Sequence, residues 1–252
     1  MQDLADGKLR LDEPAPHVAR LTIDNPAKRN ALDHAILDAI ASTVPTLDAR
    51  CLLITAAGPV FSAGYDIGGL PKDEFAHRAE ALDAFPVPSV AALNGHAIGG
   101  GLELALACDL RLASEDAKVG MPPARLGLVY SHTGLRKFVD AIGAARTREL
   151  FFTARNISAQ QAERWGLVSE VVPGDELAER AVEYAAEVAA LAPLSQRGNK
   201  RVIGELLAAE GALDPETERE LVELREACFR SDDFYEGVRA FAEKRKPDWR
   251  AQ

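Results

Sequence analysis

Three consecutive glycines, Gly99, Gly100 and Gly101, separate an apolar run from a segment rich in Leu, Ala and Glu. Upstream, Val87 to Leu93 reads as a buried strand interrupted only by Pro88 and Ser89, and downstream Leu102 to Asp109 favours helix. A glycine-built junction between strand and helix exposes backbone N–H groups and lets another molecule approach the main chain closely. The first N–H groups of a helix have no partner inside it and carry the positive end of its dipole. Such a junction suits negative charge, either a fixed anion or an oxyanion that develops during a reaction. Tight helix–strand packing alone would also explain the triplet. The spacing of a dinucleotide fingerprint and the Gly-Lys-Ser/Thr of a P-loop are both absent.

Around this junction the pattern is that of an α/β chain. Strands are expected over Val18–Asp24, Cys51–Thr55, Leu110–Ala113, Lys118–Met121 and Leu167–Val172, from their β-branched and apolar content. Helices are expected over Ala31–Val44, with Asp33 near the start, and over 72–82, 134–142 and 147–153. Ser158-Ala-Gln-Gln161 fits a capping box for another helix that stops at Gly166. From Asp175 onward only helices are expected, broken at Pro193, Asp214-Pro215 and Ser231-Asp232. The division expected is a core over 1–190 and a helical region over 191–252.

Composition removes several classes of function. A net charge of −10 disfavours non-specific binding to nucleic acid or to an acidic membrane. The uncharged run from Ala84 to Leu102 contains two prolines, an Asn, a His and four glycines, so it is not expected to span a membrane. Three scattered cysteines and no basic-then-apolar leader point to a reducing compartment, with the cytoplasm as the default. The five histidines lack metal-ligand spacing, and no metal site is expected.

The motifs Phe61-Ser-Ala-Gly-Tyr-Asp-Ile67, Asn94-Gly-His-Ala-Ile-Gly-Gly-Gly101, Ala107-Cys-Asp109 and Ser158-Ala-Gln-Gln-Ala-Glu-Arg-Trp-Gly-Leu-Val168 resemble, in order and spacing, the crotonase (enoyl-CoA hydratase/isomerase) superfamily. The resemblance runs from about Val18 to Pro247. It implies a crotonase-like spiral of ββα units with a C-terminal all-helical region used in trimerisation. It also implies an acyl-CoA thioester substrate, with coenzyme A entering as part of the substrate and no separate cofactor, and a homotrimer or hexamer. By the same resemblance, the backbone N–H groups of Tyr65 and Gly100 would form an oxyanion hole, each donor worth about 3 kcal/mol in comparable enzymes. Lys28, Arg29, Ala63, Asp66, Ile67 and Lys244 would lie along coenzyme A.

Hydratases of the superfamily use two glutamates. One matches Glu103; the other belongs where this chain has Pro123, which cannot move a proton. Within the superfamily the chain resembles most the methylmalonyl-CoA decarboxylases, through Leu70-Pro71, Met121-Pro-Pro-x-x-Leu-Gly127 running to Tyr130, Phe152-Thr-Ala154 and the ending from Asp232 to Pro247. It departs from them in having Tyr65 where they have His and Pro122 where they have Thr. Loss of CO₂ from a malonyl-type thioester needs an electron sink and a held carboxylate, not a general base. Pro122, Pro123, Leu126 and Val129 are expected as apolar walls, and Tyr130 as the group that orients the carboxylate. The alternative is enoyl-CoA hydration or isomerisation with Glu103 as the only acid/base.

Overall fold

The computed structural model describes residues 1–66 and 85–249. The helix predicted over 72–82, and Ile67, lie outside the described residues. Eleven described strands run β1 Gln2–Leu4, β2 Leu9–Ala15, β3 Val18–Ile23, β4 Cys51–Ala56, β5 Val60–Ser62, β6 Ser89–Leu93, β7 His96–Ile98, β8 Leu110–Ser114, β9 Lys118–Gly120, β10 Ile157–Ser158 and β11 Glu170–Val172. The described helices are α1 His34–Thr43, α2 Gly100–Leu106, α3 His132–Thr153, α4 Ala159–Trp165, α5 Leu177–Ala189, α6 Pro193–Gly211, α7 Pro215–Phe229 and α8 Asp232–Ala242.

A seven-stranded sheet has the order β1-β2-β3-β4-β6-β8-β11 and is parallel from β3 onward. Both of its faces are covered, which is why its strands carry apolar residues at successive positions. Leu53, Val90, Ala92 and Leu112 face α5, which approaches on a row of small or apolar residues one turn apart, Leu177, Ala181, Ala185 and Ala189. Leu52, Ile54, Ala91 and Leu93 face the other way, into the larger core with α1 and α2. A second sheet, β10-β9-β7-β5, is parallel through β5, β7 and β9.

Several helix ends are written locally. The Asp33 carboxylate accepts from the Ile36 N–H at 3.0 Å to cap α1, and Ser158 Oγ accepts from Gln161 N–H at 3.2 Å to cap α4. The helices expected over 134–142 and 147–153 are one element, α3, interrupted at Gly143 by a non-helical φ of 74°. Five of the strands, β1, β2, β5, β7 and β10, were not expected. In β2, Pro14 is tolerated because β1 pairs only with Leu9–Leu11, and the ladder to β3 is bulged between Asp12 and Ala15. β7 is only three residues long and lies inside what reads as a turn.

Parallel pairing in the second sheet brings the exits of β5, β7 and β9 to one end. Ser62 is opposite Ala97, Ala97 opposite Val119, and Ile98 opposite Gly120. The segments that follow, Ala63–Tyr65, Gly99–Gly101 and Met121–Pro123, are therefore neighbours. The fit is close: a Cβ on Gly101 would fall 2.6 Å from Ser62 Cβ and 2.7 Å from the Ser62 carbonyl oxygen. Gly101→Ala is expected to cost about 1–3 kcal/mol through overpacking, seen as a lower urea midpoint with an unchanged slope. An unchanged midpoint would show that α2 and β5 can separate freely.

Candidate active site

The glycine triplet does three separate things. Gly99 turns the chain out of β7 with φ 56° and ψ −125°, and its N–H donates to Gly120 O at 2.9 Å, which ties the turn to β9. Gly100 opens α2 and leaves room for the Tyr65 ring, whose atoms would lie 2.6 Å from any Cβ added there. Gly101 permits the contact with Ser62. The turn before Tyr65 is equally close, since a Cβ on Gly64 would sit 3.3 Å from Gly100 N. Tyr65 and Gly100, paired by sequence reasoning, thus belong to turns in contact.

One turn into α2, Glu103 is only 3% exposed. The Tyr65 hydroxyl donates to Glu103 Oε2 at 2.8 Å, and the Tyr130 hydroxyl donates to the same oxygen. Glu103 Oε1 lies 2.8 Å from where a Cβ on Gly134 would stand, so the first turn of α3 closes around the carboxyl. Tyr130 is held from behind by Phe151 at 5.6 Å between ring centroids, and Phe151 in turn by Phe138 at 5.1 Å. Burial raises the Glu103 carboxyl above its ordinary value, while the Tyr130 and Tyr65 hydroxyls, and the charges of Lys137 and Arg225, pull the other way. Burial, followed by the Glu103 charge, pushes both phenols upward, so each stays a hydroxyl donor at neutral pH.

A cavity of about 1140 Å³ opens on Glu103 and Tyr130 and continues between α3 and the α6–α7 region. Its apolar lining includes Val129, Leu135, Val139, Leu213, Leu221 and Leu224. Val129 is a wall, as expected; Pro123 is instead buried, and neither it, Pro122 nor Leu126 lines the cavity. Tyr65 and Gly100 do not line it either. His132 does, with Nε2 at 3.5 Å from Glu218 Oε1 on α7. His96 is exposed; its Nδ1 accepts from the Lys118 N–H at 3.2 Å, a link between β7 and β9.

Of the residues expected along coenzyme A, Lys28 and Asp66 meet as an ion pair at 2.8 Å, and Ala63 N–H donates to Arg29 O at 3.0 Å. Lys244 is exposed at the end of α8, and among the described residues no hydrogen bond or ion pair joins it to that group. Sequence reasoning missed Asn30, 1% exposed, whose amide donates to Ala57 O at 2.8 Å and Val60 O at 2.7 Å and so fixes the Lys28–Arg29 loop against β5. A polar residue at the end of a Pro-containing loop was the available signal.

A match to the enoyl-CoA hydratase/isomerase family extends over residues 13–252. The chain belongs to that family. It is 32% identical over 248 residues to the 2,3-dehydroadipyl-CoA hydratase of Escherichia coli K12, covering 93% of this chain and 96% of that one. It is 36% identical over 253 residues to a probable enoyl-CoA hydratase of Bacillus subtilis 168, covering 93% and 96%. The crystal structure of a methylmalonyl-CoA decarboxylase superposes with a TM-score of 0.91 at 27% identity over the whole of both chains. The crotonase fold and an acyl-CoA enzyme of the family are thereby established for this chain.

The burial of Glu103 has a consequence for stability. Its carboxyl is raised in the folded chain, so between the ordinary carboxylate range and the raised value the folded state binds more protons than the unfolded one, and stability falls as pH rises. Glu103→Gln removes that dependence while keeping an acceptor for both phenols. The unfolding free energy of Glu103→Gln, relative to the parent, is expected to improve as pH rises from the ordinary carboxylate range toward the raised Glu103 value. Urea unfolding across that range would show it, and a difference that stays flat, or moves toward the parent, would contradict the buried-carboxyl account.

Proposed function

We propose that this chain decarboxylates a malonyl-type CoA thioester such as methylmalonyl-CoA. The supporting observations are the two tyrosine hydroxyls, of Tyr65 and Tyr130, on the buried Glu103 carboxyl and, in the sequence, Pro123 where a hydratase would have its second acid. In this scheme the Tyr65 and Gly100 amides receive the thioester oxygen. The bond from the α-carbon to the carboxylate breaks, its electron pair passes into the enolate, and CO₂ leaves. The α-carbon then takes a proton.

The raised Glu103 carboxyl suits that last step. When protonated, Glu103 donates to one phenol oxygen instead of accepting from it, which frees that phenol's O–H for the substrate. A neutral Glu103 also avoids placing two carboxylates side by side. Tyr130, on the cavity wall, orients the substrate carboxylate and passes on the proton; Glu103 recovers its own from solvent.

A second reading is enoyl-CoA hydration or isomerisation with Glu103 as the sole acid/base, which the hydratase names of relatives about one-third identical favour. As a base Glu103 must be ionised. The two readings therefore predict opposite pH limbs: decarboxylation falls as pH rises through the raised Glu103 value, and base catalysis rises.

The test is incubation of the pure protein with methylmalonyl-CoA and, separately, crotonyl-CoA, with products followed by mass spectrometry. Propionyl-CoA is expected from the first, and Tyr130→Phe is expected to lower its rate about 10²-fold or more by removing the proton path. No propionyl-CoA, with 3-hydroxybutyryl-CoA formed from the second, would reverse the order of the two readings.

Lys28, Arg29, Ala63, Asp66 and Ile67, joined by Lys244, are proposed to hold coenzyme A, with no cofactor beyond it. We assign residues 191–252 to assembly as a homotrimer or hexamer: α6 and α7 bury none of their residues and leave Leu194, Val202, Ile203 and Leu206 exposed. Sedimentation would report a mass three or six times that of the chain. A cytoplasmic location is proposed on cysteine usage; no described helix is long and apolar enough to cross a membrane.

A further inference from the structure

Proton supply is the step that the buried carboxyl cannot perform by itself. Each turnover of the proposed reaction breaks one carbon–carbon bond, releases CO₂ and forms one carbon–hydrogen bond. Glu103 and Tyr130 therefore give up one proton and must regain it, although Glu103 is only 3% exposed. Among the described residues that line their cavity there is one histidine, His132, the first residue of α3. Histidine is the side chain suited to trade protons with water near neutral pH.

Local geometry ties His132 to the carboxyl. Ser131 Oγ accepts from the Gly134 N–H at 3.1 Å and so caps α3. A Cβ on Gly134 would stand 2.6 Å from a Tyr130 ring carbon and 2.8 Å from Glu103 Oε1. His132 thus belongs to the helical turn that touches both groups, and its side chain lines the same cavity. From α7, Glu218 Oε1 lies 3.5 Å from His132 Nε2. Exposure is graded outward, with 25% for the His132 side chain and 55% for that of Glu218.

The other charged groups on the walls do different work. Arg136 of α3 is paired with Asp140 at 2.6 Å and donates to Leu207 O at 3.0 Å, and an arginine does not release its proton. Lys137 of α3 and Glu210 of α6 complete the charged lining. Bare water is a poor supplier. Hydronium at about pH 7 is near 10⁻⁷ M and arrives no faster than about 10⁹–10¹⁰ M⁻¹s⁻¹, so it delivers at most roughly 10²–10³ protons per second. Each further pH unit lowers that about tenfold, into the range of ordinary turnover numbers.

We infer that His132, with Glu218 beyond it, is the port through which the Glu103–Tyr130 pair regains its proton from solvent. This rests on the decarboxylase reading of the site and adds the route of the proton to it. Tyr130 gives its proton to the α-carbon, and Glu103 gives its own to Tyr130. His132 then reloads Glu103 across a cavity roomy and polar enough to hold water, and Glu218 or water reloads His132. The net proton comes from solvent, and no oxidant or other co-reactant enters. His132 touches no reacting atom and acts through Glu103.

The test compares the full-length parent with His132→Gln and Glu218→Gln in dilute buffer. Mass spectrometry follows two rates: propionyl-CoA formed from methylmalonyl-CoA, and deuterium entering the α-carbon of propionyl-CoA in D₂O. The second runs the same proton relay without loss of CO₂. His132→Gln is expected to lower kcat and the exchange rate about tenfold at about pH 9 and less at about pH 7, with KM unchanged. Added imidazole should restore both rates, and Glu218→Gln should show a smaller loss of the same kind. An unchanged dissociation constant for propyl-CoA, a thioether with no carbonyl, shows that a variant keeps its site. If His132→Gln loses that probe, Glu218→Gln, altered at an exposed position, decides alone.

Parent-like rates in the variants at the higher pH, or a loss that imidazole does not repair in His132→Gln, would overturn the port. Failure of the decarboxylase reading looks different: no propionyl-CoA from the parent, with deuterium exchange that still depends on His132. A parent that does neither removes both.

Discussion

The site depends on the parallel pairing of three very short strands. β5, β7 and β9 are three residues each, too few to be stable as an isolated sheet. They hold because they pack on a core whose larger sheet is covered on both faces. Parallel pairing points all three exits the same way, so a turn, a helix start and a proline loop converge without any long connection between them. Antiparallel pairing of any one would send its exit to the opposite end and dissolve the site.

Within that frame the glycines act as clearances. Gly64, Gly100 and Gly101 allow the Tyr65 turn to lie directly on the start of α2, and Gly134 allows α3 to close over Glu103. The result is a carboxyl held by two phenols in a place that water reaches poorly. Its raised proton affinity follows from geometry and needs no neighbouring negative charge. Members of one family can keep the same turns and change the reaction by changing the groups around this carboxyl. Here the loop after β9 carries Pro123, and two tyrosines surround Glu103.

Much of the architecture is legible in the chain. The caps at Asp33 and Ser158, the stop at Gly166 and the breaks at Pro193, Pro215 and Ser231 are local chemistry, and local chemistry is written in adjacent residues. The apolar runs of β4, β6 and β8 announce strands buried on both faces. β2 was hidden because a proline and alternating charges disguise a strand that is free on one side beyond Leu11. β7 was hidden because three residues are too few to show a period.

The sequence alone determined the family, the order of the elements, the glycine junction and the absence of a proton carrier at Pro123, since each of these is a matter of residue identity and spacing along one chain. Only the tertiary structure decided that Tyr65 and Tyr130 share one oxygen of Glu103 and that Lys28 meets Asp66. Those contacts join residues tens of positions apart. Which far-separated side chains meet is set by how strands pair and helices pack, and neither periodicity nor composition carries that information.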